Sequence, residues 1–205
     1  MPAANPAVRE PVTPAIPMTQ REVAHLNERA LFVRLETLRL ISIAKVGHYS
    51  SVFSCAEIFS VLYYDAMCLR RGEPKWPDRD RFLMGKGHAA VGLYPLLADW
   101  DFFDKSWLDE YTRLGSPLGD HPDMRKVPGV DFSSGSIGHA LSGGLGMALG
   151  GRLREKAFDV FVLLGDGEMQ EGQVWEAALG AAHHKTANLV AIIDRNGYQL
   201  DGNVD

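Results

Sequence analysis

The stretch VFVLLGDGEMQEGQVWEAALGAAHHKTANLVAIIDRNG, residues 160–197, decides the fold. Residues 160–164 form a short apolar run that stops at Gly165-Asp166-Gly167. A helical pattern follows over about residues 173–184, and a second apolar run, 189–193, leads to Asn196-Gly197. The order is strand, helix, strand, with a short connection on each side. In a right-handed βαβ unit both strands run parallel, so the residues just past their C-terminal ends share one edge of the sheet. Asp166 and Asn196, thirty residues apart, are thereby brought together. A carboxylate and an amide carbonyl both offer hard oxygen, which suits Mg²⁺ or Ca²⁺ and not zinc. Gly165 and Gly167 allow a sharp reversal, and with no β-carbon at Gly167 a diphosphate can come against the backbone near the next helix N-terminus. Taken singly, each glycine pair is only a turn; after two successive strands they read as a metal-plus-diphosphate site.

Upstream, Thr19-Gln20-Arg21-Glu22 fits a capping box and opens a helix to about residue 46. Residues 47–51 break that pattern and carry His48, and a second helix is expected over 55–69. Residues 81–84 read as a strand ending at Gly85-Lys86-Gly87-His88, with a helix over 88–97 and another, short, over 105–114. Residues 115–138 are rich in Gly, Pro, Ser and Asp, a loop long enough to be functional. The next helix, 139–153, holds five glycines, each costing about 1 kcal/mol relative to alanine. Such density makes sense where something approaches the backbone closely. Asp194 and Arg195 fall in the loop after the last strand and are assigned no chemistry.

The 205 residues, 46% hydrophobic and 23% charged, suit one soluble α/β domain over 19–205 behind a disordered Pro/Ala-rich tail, 1–18. Five prolines in the first nineteen residues and no apolar core exclude a secretory signal. A net charge of -5 without Lys/Arg runs predicts neither a nucleic-acid nor a membrane partner. No apolar stretch is long enough to span a bilayer. Cys55 and Cys68, with no zinc or CxxC spacing, are expected to be buried, reduced thiols of a cytoplasmic protein.

The glycine-aspartate-glycine turn followed by an asparagine past a second strand resembles the thiamine diphosphate motif, and residues 165–202 are similar to its transketolase version. Gly47-His48 resembles that family's first Gly-His, RDRFLMGKGHAAVGLYPLL its SKGH segment, GDHPD its GHP segment and GSIGHALSGGLGMALG its GPLGQG segment. The resemblance covers about residues 38–205. It implies a three-layer α/β/α thiamine-diphosphate-binding fold with a mostly parallel sheet. It implies thiamine diphosphate and Mg²⁺ as cofactors, with Ca²⁺ or Mn²⁺ as substitutes, the metal held by Asp166, Asn196 and the carbonyl of Tyr198. Gly167 and Asn196 fall on the diphosphate, His88 beside it, and Gly135, Ser136 and Ile137 along the middle of the cofactor. His48, His88 and His121 take the catalytic positions, with His48 and His121 in the sugar channel. Glu171 and Glu176 match interface acids that link neighbouring cofactors; without the resemblance they read as a solvated charge pair favoured by the helix dipole.

The activity so implied is transfer of a two-carbon ketol unit from a ketose or ketose phosphate to an aldose. The family's ylide-forming glutamate lies on a second domain, so a C-terminal subunit with the pyrimidine-binding domain is expected as partner, the pair assembling as a heterotetramer. The chain is C-terminally short relative to the family's N-terminal halves. Two departures bear on the substrate: Tyr49-Ser50 stand where the family has Pro-Gly, and His139 where it has Gln. Alternatives are a deoxyxylulose-phosphate synthase-like or 2-oxoacid dehydrogenase-like component, or a non-catalytic cofactor-binding subunit.

Overall fold

The structure, a computed structural model, describes residues 17–200 and 202–204; the expected N-terminal tail lies, up to residue 16, outside the described residues. The first helix, α1 (Gln20–Ala44), begins with the expected capping box: Glu22 donates its amide to Thr19 Oγ1 at 3.3 Å, and Thr19 N donates to Glu22 Oε2 at 2.7 Å. It ends at Lys45, whose φ of 60° is left-handed and stops the helix.

The next segment differs from the sequence reading. Helix α2 (Tyr49–Phe53) starts directly after His48, where a break was expected, and α3 (Ala56–Val61) runs into a π-helical turn, Leu62–Ala66. The chain reversal is shared by left-handed Lys45 and by Gly47, whose φ of 135° suits glycine, so only a few residues separate α1 from α2. His48 therefore stands at a helix N-terminus and not within a loop.

Strand β1 (Arg81–Met84) leads through a 3₁₀ turn, Gly87–Ala89, into α4 (Ala90–Asp99). A 3₁₀ segment, Lys105–Glu110, and the long loop follow, then α5 (Ala140–Leu153), β2 (Val160–Gly165), α6 (Gly172–His183) and β3 (Leu189–Asp194). The strands lie in the order β1-β2-β3, all parallel, with Arg81 opposite Val160 and Gly165 opposite Asp194. Asp194 is thus the last residue of β3, a correction to its placement in the following loop. A two-residue pairing of β4 (Tyr198–Gln199) with β5 (Gly202–Asn203) was not anticipated.

Alternation along the strands separates two apolar layers. Phe82, Met84 and Leu163 face a core built with α1, α3 and α4, including Leu40, Phe59 and Leu97. Leu83, Val160, Val162 and Leu164 face the opposite way, onto Ala140, Leu141 and Ala148 of α5 and Val174 and Ala177 of α6. Period-two alternation with apolar residues on both faces demands helices on both faces, and the α/β/α arrangement follows. The glycines of α5 permit it: a Cβ at Gly144 would come within 2.6 Å of Val162, and one at Gly143 within 2.9 Å of Phe132. Gly146 and Gly150 face open space. Cys55 is buried, as expected, and burial pushes its thiol up to about 12; Cys68 is exposed, against expectation.

Candidate active site

Three loops leave the same edge of the sheet, because parallel strands end together: residues 85–88 after β1, 166–170 after β2 and 195–197 after β3. Asp166 is nearly buried, and its carboxylate accepts from its neighbour Gly167 N at 3.0 Å and from Gly197 N at 2.6 Å. The second bond ties the first strand's loop to the residue after Asn196, so topology does bring Asp166 and Asn196 together. A carboxylate offers about four lone-pair positions, and two amides leave room for a cation. Asn196 Oδ1 accepts from Tyr198 N at 2.9 Å, which fixes the turn that follows β3. Gln199 lies against Gly167, where an added Cβ would stand 2.8 Å from its Cβ.

The histidines gather beside this edge. The rings of His48 and His88 meet edge to face with centroids 5.4 Å apart, and His48 Nε2 lies 3.8 Å from Asp120 Oδ2. His121 packs against Gly135, a Cβ on which would stand 3.4 Å from its ring. Two core tyrosines hold the segment between: Tyr94 donates its hydroxyl to Gly119 O at 2.7 Å and Tyr111 donates to Asp120 Oδ1 at 2.9 Å. Burial, and then the charge of Lys86 with smaller contributions from His48 and His121, hold the His88 imidazole down at about 4. His88 is neutral at physiological pH and can donate from one ring nitrogen and accept at the other.

Residues 134–138 complete the wall. Gly87 lies so close to them that a Cβ would be 2.8 Å from Ser134 Oγ and 2.9 Å from Gly135 N. Ser134 Oγ is buried without a protein partner. An orphaned hydroxyl between backbone segments that lack side chains is what a polar cofactor would satisfy. Ser136 and Ile137 are exposed beside it, and Ile137 O is 3.0 Å from His139 Nδ1. The buried Glu168, which sequence reasoning passed over, accepts from Gly138 N at 2.7 Å and Gly165 N at 3.1 Å, joining this wall to the Gly165-Asp166-Gly167 turn. Burial, opposed by those two bonds, raises its pKa.

Of the residues singled out in the sequence, His48, His88, His121, Gly135, Asp166, Gly167, Asn196 and Tyr198 are linked by these contacts. Glu171 touches the wall, since a Cβ at Gly138 would stand 2.7 Å from its Cβ. Glu176 is exposed on α6 beside exposed Trp175 and Leu179. Missed were Lys86, Asp120, Ser134 and Glu168, and Asp194 was assigned no chemistry; all five lie inside or beside the segments 85–88, 119–123, 135–150 and 160–197, but nothing in the sequence shows which side chains of a motif turn inward.

A parallel sheet whose strand ends bring a carboxylate, an amide oxygen and glycine-flanked amides beside a cluster of histidines fits a class: an α/β domain for a diphosphate-bearing cofactor. The particular family follows from comparison. The family described as transketolase, thiamine diphosphate binding domain, matches residues 27–205, and the chain belongs to it. It is 38% identical over 172 residues to an apulose-4-phosphate transketolase subunit of Phocaeicola vulgatus, covering 84% of this chain and 61% of that one. Over 185 residues it is 36% identical to the 6-deoxy-6-sulfo-D-fructose transketolase subunit SqwG of a Clostridium species, covering 90% and 67%. Transketolase from Campylobacter jejuni superposes with a TM-score of 0.84 at 28% identity, over 91% of this chain and 30% of that one. The chain thus spans about three-fifths of the first relative's length and under a third of the single-chain enzyme.

Proposed function

We propose that residues 19–205 form the diphosphate-binding domain of a two-subunit transketolase, transferring a two-carbon ketol unit between a ketose or ketose phosphate and an aldose. The observation that carries this is the 2.6 Å bond from Gly197 N to Asp166, which joins the ends of β2 and β3 as one ligand-bearing edge. Asp166, Asn196 and the carbonyl of Tyr198 hold Mg²⁺, which Ca²⁺ or Mn²⁺ replace, and the amides around Gly167 face the diphosphate. Gly135, Ser136 and Ile137 line the middle of the cofactor, and Ser134 gains its missing partner there.

Thiamine diphosphate supplies the carbon nucleophile and the electron sink. The chain's residues bind, orient and move protons. Neutral His88 hydrogen-bonds near the diphosphate without adding charge, while His48 and His121 contact the sugar hydroxyls and Asp120 orients His48. Tyr49, exposed next to His48, borders the sugar channel.

The partner is a second polypeptide with the pyrimidine-binding domain, and the pair assembles in the cytoplasm as a heterotetramer. Support comes from the relatives named as subunits. Further support is the apolar exposure of Trp175 and Leu179 beside Glu176, at 57% and 73%. Among the described residues no helix is long and apolar enough to cross a membrane.

Calorimetry with thiamine diphosphate and Mg²⁺ on wild type and Asp166→Ala tests the cofactor site; equal binding by both defeats the metal assignment. Reconstitution with the partner and a donor panel of free, phosphorylated and sulfonated ketoses tests the activity. Turnover of none of them turns the reading to a cofactor-binding subunit without catalysis.

A further inference from the structure

Lys86 and Asp194 form an ion pair with side chains only 2% and 5% exposed, and neither residue takes part in the proposed reaction. Ser54 donates its hydroxyl to Asp194 Oδ2 at 2.6 Å, and Lys86 Nζ donates to Ser54 Oγ at 3.3 Å as well as to Asp194. Burying two charges is costly, and a well-packed apolar pair of similar volume would hold the strands at least as firmly. The pair therefore calls for a role that apolar packing could not fill, and its connections suggest one.

Each member belongs to a different part of the site. Ser54 follows α2, which opens just after His48; Lys86 sits two residues before His88; Asp194 ends β3, two residues before Asn196. The main chain of Asp194 extends the network to the ligand edge, because its carbonyl accepts from Asp166 N at 3.3 Å and from Asn196 N at 3.1 Å. One residue thus holds both expected metal ligands through its backbone and both histidine segments through its carboxylate. The ammonium of Lys86 also occupies the Asp194 carboxylate, which withdraws that acid from a cation bound at Asp166.

We infer that Lys86, Asp194 and Ser54 are positioning residues that set Asp166 and Asn196 for a divalent cation and lock that edge in register with His48 and His88. The inference rests on reading the edge as a metal-diphosphate site. Residues outside the ligand sphere commonly control cation affinity by orienting the ligands themselves.

The test uses the full-length polypeptide with Lys86→Met, Asp194→Asn and the double substitution, which removes both charges at once. Mn²⁺ binding in the presence of inorganic pyrophosphate is read by electron paramagnetic resonance, and exchange of the Asp166 and Asn196 amides is read without metal. The double variant is expected to regain melting temperature lost by the single ones while binding Mn²⁺ roughly 10- to 100-fold more weakly than wild type. Its Asp166 and Asn196 amides should exchange faster than the rest of β2 and β3. A stable double variant with wild-type Mn²⁺ affinity and unchanged exchange at both amides overturns the inference, leaving the pair a purely structural contact. Ser54→Ala keeps the charges and guards against loss of folding: it should weaken Mn²⁺ binding in the same direction with little change in melting, and unaltered affinity and exchange count against the inference. If wild type binds no Mn²⁺ with pyrophosphate, the metal reading itself falls, and the exchange data alone decide whether the network positions the two amides.

Discussion

Gly197 N donates to Asp166 Oδ2 at 2.6 Å across the ends of two neighbouring parallel strands. Asp166→Asn keeps the volume but places an amide nitrogen where Gly167 N or Gly197 N now donates. Hydrogen bonds to charged groups contribute about 1.5–3 kcal/mol, and a stability loss of that order is expected together with loss of cation binding. Chemical denaturation alongside Mn²⁺ titration checks both.

His88 makes stability depend on acid. Its unfolded value is near 6.5 and its folded value is about 4, so the unfolded chain binds the extra proton between them. Its contribution is present in full above the unfolded value and is lost as pH falls toward the folded one. Urea midpoints measured on either side of this window should fall with acid in wild type and fall less in His88→Asn.

Arg79 and Asp131 form a buried bidentate pair, at 2.6 and 2.8 Å, and Asp131 also accepts from Phe82 N at 3.0 Å. The contact pins the end of the long loop to β1. Asp131→Asn should destabilise the chain by about 3–5 kcal/mol by leaving the guanidinium uncompensated, measured by denaturant unfolding. Because the pair grips the N-terminal end of β1, opposite to the strand ends followed by Asp166 and Asn196, cation affinity of the folded fraction should be unchanged.

Glu168→Gln removes one of two acceptors shared by Gly138 and Gly165. The expected cost is about 1–3 kcal/mol, concentrated in residues 133–139. Hydrogen exchange of the Gly138 amide should accelerate more than that of the β2 amides other than Gly165.

Gly87→Ala places a methyl 2.8 Å from Ser134 Oγ and 2.9 Å from Gly135 N. Overpacking of this kind costs about 1–3 kcal/mol, and the displaced wall should also weaken thiamine diphosphate binding. Calorimetry with the cofactor and thermal melting separate the two effects.

Much of this was legible in the residues. The apolar runs before Gly165 and before Asn196 predicted parallel strands and a shared edge, because alternation and βαβ handedness are local rules. Thr19 and Glu22 predicted the start of α1 for the same reason. The start of α2 was not legible: Tyr49-Ser50-Ser51 carries no strong helical signal, and left-handed Lys45 and Gly47 absorb the reversal within three residues. Nor was the end of β3, since pairing of Asp194 with Gly165 is set by register and not by hydropathy.

The order of glycines, histidines and acids by itself determined the layered α/β fold, the meeting of Asp166 with Asn196 and the family to which the chain belongs. Only the tertiary structure decided which polar side chains turn inward. Lys86 lies between two glycines and Asp194 after an apolar run, 108 residues apart. Nothing local pairs them. Each becomes tolerable in the interior only because the folded sheet brings the opposite charge to it.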